Sequence, residues 1–227
     1  NAISSVSLIN KASASSTFSS TFAATAITLG ANAGSVTFSG TTNINDAVNF
    51  TAASQTLTFK GDTSLDDGIN LKGFASTLIL DSTPGNKTFT AVISTEGDNT
   101  GTLQVKGTNT YTIENQVGAS GNALSSVTIA DASNAIFSSS VYANALTAGS
   151  GTTTFNANVT GALALGSTGS TVAFGDGVTM TGAITNSSGA ATGTINASGD
   201  FTATSTIGDS GIGAISTFNV KADNKAI

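Results

Sequence analysis

Gly101-Thr102-Leu103-Gln104-Val105-Lys106-Gly107-Thr108-Asn109-Thr110-Tyr111-Thr112 is the stretch on which the reading of this chain turns. Leu103 and Val105 flank the polar Gln104, the period-two alternation of a half-buried strand. Gly107-Thr108-Asn109 then interrupts it with residues that favour turns, and Tyr111 opens a second run. The same figure recurs at Val36-Thr37-Phe38, Leu57-Thr58-Phe59, Leu78-Ile79-Leu80, Val127-Thr128-Ile129, Val172-Ala173-Phe174 and Phe218-Asn219-Val220. These runs are rich in β-branched and aromatic residues and are bounded by Gly, Asn, Asp and Ser. No segment sustains apolar residues at i, i+3, i+4 and i+7 over three turns, and the abundant Thr and Gly are weak helix formers. The chain reads as all-β.

The runs return at a nearly constant interval. Phe38, Phe59, Leu80, Val105, Ile129, Phe155, Phe174, Ile195 and Phe218 form one inward row with steps of 19 to 26 residues. A second row follows it: Phe50, Leu71, Val92, Val117, Val141 and Ile207 lie twelve residues after an anchor, and Leu165 and Ile184 lie ten after theirs. Repetition of this kind points to a coil that stacks on itself. A β-sandwich is the alternative, but its hairpins favour Asn-Gly or Asp-Gly turns. Asp67-Gly68 and Asp176-Gly177 are the only such pairs here, and Asn-Gly does not occur. Broad turns such as Gly61-Asp62-Thr63 and Gly175-Asp176-Gly177 suit a coil better. The expected fold is a right-handed parallel β-solenoid of about 22 residues per coil, nine or ten coils at ~4.8 Å each making a rod on the order of 45 Å. Residues 1–33 are expected to form an irregular coil or cap and 34–227 the repetitive segment. The low-complexity stretches 10–26 and 186–194 read as wide turns.

Composition excludes much of chemistry. The 227 residues include 38 Thr, 31 Ser, 26 Gly and 20 Asn, with 39% apolar and 9% charged side chains. That is apolar enough for a continuous core and unlike a disordered tail. Cys, His, Trp and Arg are absent and Pro84 is the single proline. No disulfide, thiol nucleophile or cysteine zinc site is available, and the commonest general base and metal ligand is missing. Seven Lys against thirteen acidic residues leave a net charge of −6, so no nucleic-acid partner is expected. The apolar runs fall far short of the ~20 residues of a spanning helix, so no membrane insertion by this segment is expected. The N-terminus lacks a basic region followed by an apolar one, and the chain stops at Ile227 without a terminating motif. It reads as a segment of a longer protein.

The stretch Gly101–Thr112 resembles the passenger-associated repeat of bacterial autotransporters, approximately Gly-Thr-Leu-x-Val-x-Gly-x-Asn-Thr-Tyr-Thr, in which Leu and Val would point into the coil and Gly-x-Asn would turn it. Ile113 stands where that repeat usually carries another Gly. Phrases such as Gly151-Thr152-Thr153-Thr154-Phe155-Asn156-Ala157-Asn158-Val159-Thr160-Gly161 are similar to the passengers of rickettsial surface antigens of the outer-membrane-protein-B type. The resemblance implies a β-solenoid secreted through a C-terminal β-barrel, which these residues do not contain. It implies a surface-layer-like coat or host-cell adhesin at the outer membrane.

Candidate sites are few. Asp62, Asp66 and Asp67 form the densest acidic cluster, whose oxygens could be offered to Ca²⁺. The spacing matches neither an EF-hand loop nor the calcium-binding nonapeptide, so a solvated turn is the expectation. Paired carboxylates can hydrolyse glycosides. The available acids, from Asp62, Asp66, Asp67, Asp81 and Asp98 to Asp131, Asp176, Asp200 and Asp209, with Glu96 and Glu114, mostly sit where Asp ends a strand. No catalytic or cofactor-binding residue is therefore expected. Phe38, Phe59, Phe155, Phe174 and Phe218 are expected in the core, Tyr111 and Tyr142 at the surface. The functional expectation is a non-catalytic segment of a secreted bacterial cell-surface protein, a rigid stalk and adhesin whose partners are host-cell or neighbouring-cell surface molecules. The alternatives are a self-associating surface-layer or filament subunit and a glycan-active β-helix enzyme.

Overall fold

The computed structural model describes residues 3–8, 15–31, 34–189, 191–209 and 213–221. Among them no helix is long and apolar enough to cross a membrane. The chain is a parallel β-solenoid whose faces are sheets of five, eleven and ten strands. Strands inside each sheet pair with the strand one coil before and one coil after, as Thr77–Asp81 does with Thr56–Phe59 and Thr100–Lys106. The sandwich alternative required antiparallel hairpins, whereas every ladder between described strands is parallel.

Each coil visits three faces in turn. Ile27–Leu29, Ser35–Phe38 and Thr42–Ile44 illustrate the first, second and third, and Val48–Phe50 returns to the first in register with Ile27. The three faces already exist before residue 34: Val6–Leu8, Ser15–Phe18 and Phe22–Ala24 pair with the next coil. The stretch 10–26, read as a wide turn, thus contains two strands. Its Ser and Ala alternate with Phe18, Phe22 and Ala24, and residues 10–14 lie outside the described set. In 186–194 the turn is shorter than expected, because strands run to Asn186 and resume at Thr192.

Alternation places the apolar half of each strand inside. In Thr77–Asp81 only Leu78 and Leu80 are buried, and their columns continue through Leu103–Val127 and Val105–Ile129. Two aromatic stacks run along the interior. Phe18, Phe38 and Phe59 stack at 4.9 and 5.5 Å, and Phe137, Phe155 and Phe174 at 5.1 and 5.7 Å. Offset stacking at these separations adds to the area that each ring buries.

The third face explains why the inward row was misassigned. Ile129 pairs onward to Ala148 and Leu165 on the second face, whereas Phe155 continues Phe137 on the third. The long step from Ile129 to Phe155 is therefore a hop between sheets. Val92 is 44% exposed, because Ile93, its neighbour, pairs with Ile69 and faces inward; a shift of one residue exchanges the faces of a strand. Phe218 and Ile207, also expected inside, are 42% and 38% exposed in the last described coil.

Tyr111 corrects its surface assignment. It is fully buried, and its hydroxyl donates to the Gly61 carbonyl oxygen at 3.0 Å, two coils below. That bond lets a phenol sit in an apolar core, and burial pushes its pKa up. The turn before it is fastened to the coil below. Asn109 Nδ2 donates to the Ser82 carbonyl at 3.0 Å, and Ser82 Oγ donates back to the Asn109 carbonyl at 2.8 Å. At Gly107, with φ of 100°, a Cβ would lie 2.6 Å from Ser82 Oγ. Only glycine admits this approach.

Candidate functional site

The carboxylates are best understood from the turns. In the turns and at the starts of strands, backbone amides are accepted by an Asp or Asn side chain of the coil below. Asp62 Oδ1 accepts from Thr88 N at 2.9 Å, Asp98 from Ala123 N at 3.0 Å, Asp131 from Ser150 N at 3.0 Å and Asp176 from Asp200 N at 2.7 Å. Asn86, Asn134 and Asn158 do the same for Thr110, Thr152 and Thr179. Asn and Asp are interchangeable in this role, which needs an acceptor oxygen on a short side chain. Others are engaged differently: Asp81 meets Lys60 at 3.1 Å, Glu96 meets Lys72, and Glu114 accepts from Thr90 Oγ1 at 2.7 Å.

The calcium candidate divides across a strand. Asp62 precedes Thr63–Leu65, whereas Asp66 and Asp67 follow it. Asp67 instead lies beside Asp46 of the coil below, and the hydrogen bond between these carboxyl groups is the main cause of a raised Asp67 pKa. Among the described residues no three acidic side chains come together as a metal-binding group. Asp131 is shifted the other way: hydrogen bonds from Ser167 Oγ and then Ser150 N hold its carboxyl below the ordinary value.

A concavity on the side of the rod lies where the first and second faces meet, with a volume of about 530 Å³. Its floor comes from an irregularity in pairing. Val141–Ala148 pairs with Val159–Leu165 through Val141↔Val159 and Tyr142↔Thr160, and then through Ala145↔Ala162. Ala143 and Asn144 together therefore oppose Gly161 alone, a β-bulge that bends the strand and turns Asn144 outward. At Gly161, φ is 139° and a Cβ would lie 1.8 Å from the Ala143 carbonyl oxygen. Gly182 stacks on Gly161 in the next coil, again with no space for a Cβ. The floor is thus bare backbone flanked by Thr160, Thr181 and Tyr142.

The wall is made by the two preceding coils, whose corners are longer. Val117 is separated from the strand Leu124–Ile129 by a loop in which Ala119 and Asn122 exchange two backbone hydrogen bonds, at 3.0 and 3.1 Å. Asp98 ties this loop to the coil below, and Asn99, Ser120 and Gly121 complete the rim. Lysine is absent from the lining, and Asp98 is its only carboxylate.

Sequence reading missed this site, although a signal exists. Val159-Thr160-Gly161-Ala162-Leu163 and Met180-Thr181-Gly182-Ala183-Ile184 repeat one another, and Val141-Tyr142-Ala143-Asn144-Ala145-Leu146 is the same phrase with one extra residue. That residue is the bulge. Tyr142, expected at the surface, lines this groove. No protein-family model, curated protein or solved structure matches this chain.

Proposed function

We propose that the chain is a rigid, non-catalytic segment of a secreted bacterial surface protein of the autotransporter-passenger type, holding an adhesive surface away from the cell. The observation that supports this most is the continuity of the stack. Parallel ladders join consecutive coils from Val6 to Lys221, and Asp and Asn side chains fasten the turns between them. Backbone groups satisfied by the neighbouring coil leave few sites for a protease to enter, and a rod loaded along its axis transmits force through many ladders. Part of the outward surface consists of registered columns of uncharged polar residues, such as Gln104–Thr128–Thr147. Such a surface is uncharged and hydrogen-bonding, suited to contact with cell-surface molecules.

The purified chain, labelled and added to host cells and to bacterial cells, should bind saturably, while negative-stain images with and without millimolar Ca²⁺ show separate particles. Ordered sheets, tubes or fibres would replace this reading with that of a self-assembling surface-layer subunit. Release of reducing ends from a polysaccharide panel would replace it with a glycan-active enzyme.

A further inference from the structure

The geometry points to an uncharged oligosaccharide as the ligand of the groove over Tyr142. This goes beyond the surface-rod reading and does not rest on it, because it follows from the shape and chemistry of one corner of the coil.

Length comes first. The groove crosses five successive coils, from Asp98 through Ala119–Ala123, Tyr142–Asn144 and Thr160–Ala162 to Thr181–Gly182. Four intervals of ~4.8 Å make it about 19 Å long, a trough for an extended ligand of several units. It opens to solvent along its length. A compact apolar ligand needs an enclosed pocket, and this groove is open.

The donors and acceptors come next. The lining offers the hydroxyls of Thr160 and Thr181, the amides of Asn99 and Asn144, and the ring and hydroxyl of Tyr142. All are uncharged groups that donate and accept, and they match a chain of sugar hydroxyls. The aromatic ring can cover the apolar face of a pyranose. Asp98 accepts from Ala123 N through one oxygen and from Asn99 Nδ2 at 3.4 Å through the other. With no cation in the lining, an anionic polysaccharide or nucleic acid would meet one carboxylate and no counter-charge.

A peptide is disfavoured by the backbone. Extended peptides bind by adding a strand to a free sheet edge, but Val159–Leu165 is already paired on both sides, with Val141–Ala148 and with Val178–Thr181 and Ile184–Asn186. The bulge and the two stacked glycines clear side chains from this corner without freeing an edge.

The chain's tyrosine content supplies the assay. It has two Tyr and no Trp, and Tyr111 is sealed in the core, so ligand-dependent fluorescence change reports on Tyr142. Soluble neutral oligomers of glucose, mannose, galactose and N-acetylglucosamine are titrated into the intact chain, with amide chemical shifts recorded alongside. At least one series should change the fluorescence saturably and shift the amides of Tyr142–Asn144, Gly161 and Gly182. Asn144→Ala, at an exposed position, and Tyr142→Ala should each weaken binding about tenfold, the loss of one anchoring contact. Tyr142→Phe should retain most of it, showing that the fold survives change at this position. The proposal is overturned if no series shifts these amides at millimolar concentration, if the shifts fall elsewhere, or if binding is unchanged in both alanine variants.

Discussion

Thr153 and Thr63 make the same substitution give opposite results. Both lie on strands of the third face, and both are almost fully buried. Thr153 stands in an inward column between Ala135 and Val172, and its Oγ1 has no hydrogen-bond partner. Thr63 Oγ1 donates to the Gly61 carbonyl at 3.2 Å. Valine has the same branching and nearly the same volume as threonine, and both suit a strand, so Thr→Val isolates the hydroxyl. At Thr153 the substitution removes a buried polar group that was desolvated without recompense, which is worth about 1–2 kcal/mol. At Thr63 it removes a made bond to Gly61 and the hydroxyl's interaction with Tyr111, a loss of about 0.5–1.5 kcal/mol for each bond. For a chain of this size the thermal midpoint should rise by roughly 2–8 °C in Thr153→Val and fall by a few degrees in Thr63→Val. Guanidinium unfolding followed by circular dichroism checks both, with an unchanged m-value showing that the folded area is the same. The reasoning fails if Thr153→Val does not stabilise, or if the two variants move in the same direction.

Other outcomes follow from the same geometry. Phe155→Ala, in the middle of the second aromatic stack, should destabilise by about 3–5 kcal/mol, read as a lowered denaturant midpoint. Asp67 and Asp131 should give acid stability two opposing slopes. The folded pKa of Asp67 is raised by its Asp46 neighbour, so the ionised pair is a cost at neutral pH, and stability rises as pH falls through that pKa. The folded pKa of Asp131 is depressed, so its contribution is present above the unfolded value of about 3.9 and is lost as pH falls through the folded one. Asp67→Asn should remove the first slope and leave the second in pH-dependent thermal scans.

The alternation at Leu78-Ile79-Leu80 and Leu103-Gln104-Val105 was enough to establish strands, and their return every twenty-odd residues was enough to establish coils. The number of faces was less legible. A coil with three short strands presents three inward rows whose spacing varies with turn length, and Ile129 and Phe155 belong to different rows although each fits the same average step. Tyr111 could not be placed from its own residue type, because its burial depends on a carbonyl 50 residues earlier. The groove was hidden for a related reason. It arises from one additional residue between Val141 and Leu146 compared with Val159 and Leu163, in a background where Ala, Asn, Thr and Gly are common everywhere. The acids were visible, but their role as acceptors for the amides of the next coil needed the coil spacing to be known.

The coil stack underlies both the rod reading and the groove, and a distance ruler along one outward column tests it most directly. Thr37, Thr58, Ile79, Gln104, Thr128, Thr147, Ala164 and Thr185 occupy successive coils of the second face in register. The chain has no cysteine, so nitroxide pairs can be placed cleanly by Thr37→Cys with Gln104→Cys, Thr128→Cys, Thr147→Cys or Thr185→Cys. Pulsed dipolar measurements should give separations near 14, 19, 24 and 34 Å, growing by about 4.8 Å per coil whatever the number of intervening residues. Separations that rise and then fall along the series would contradict the stack.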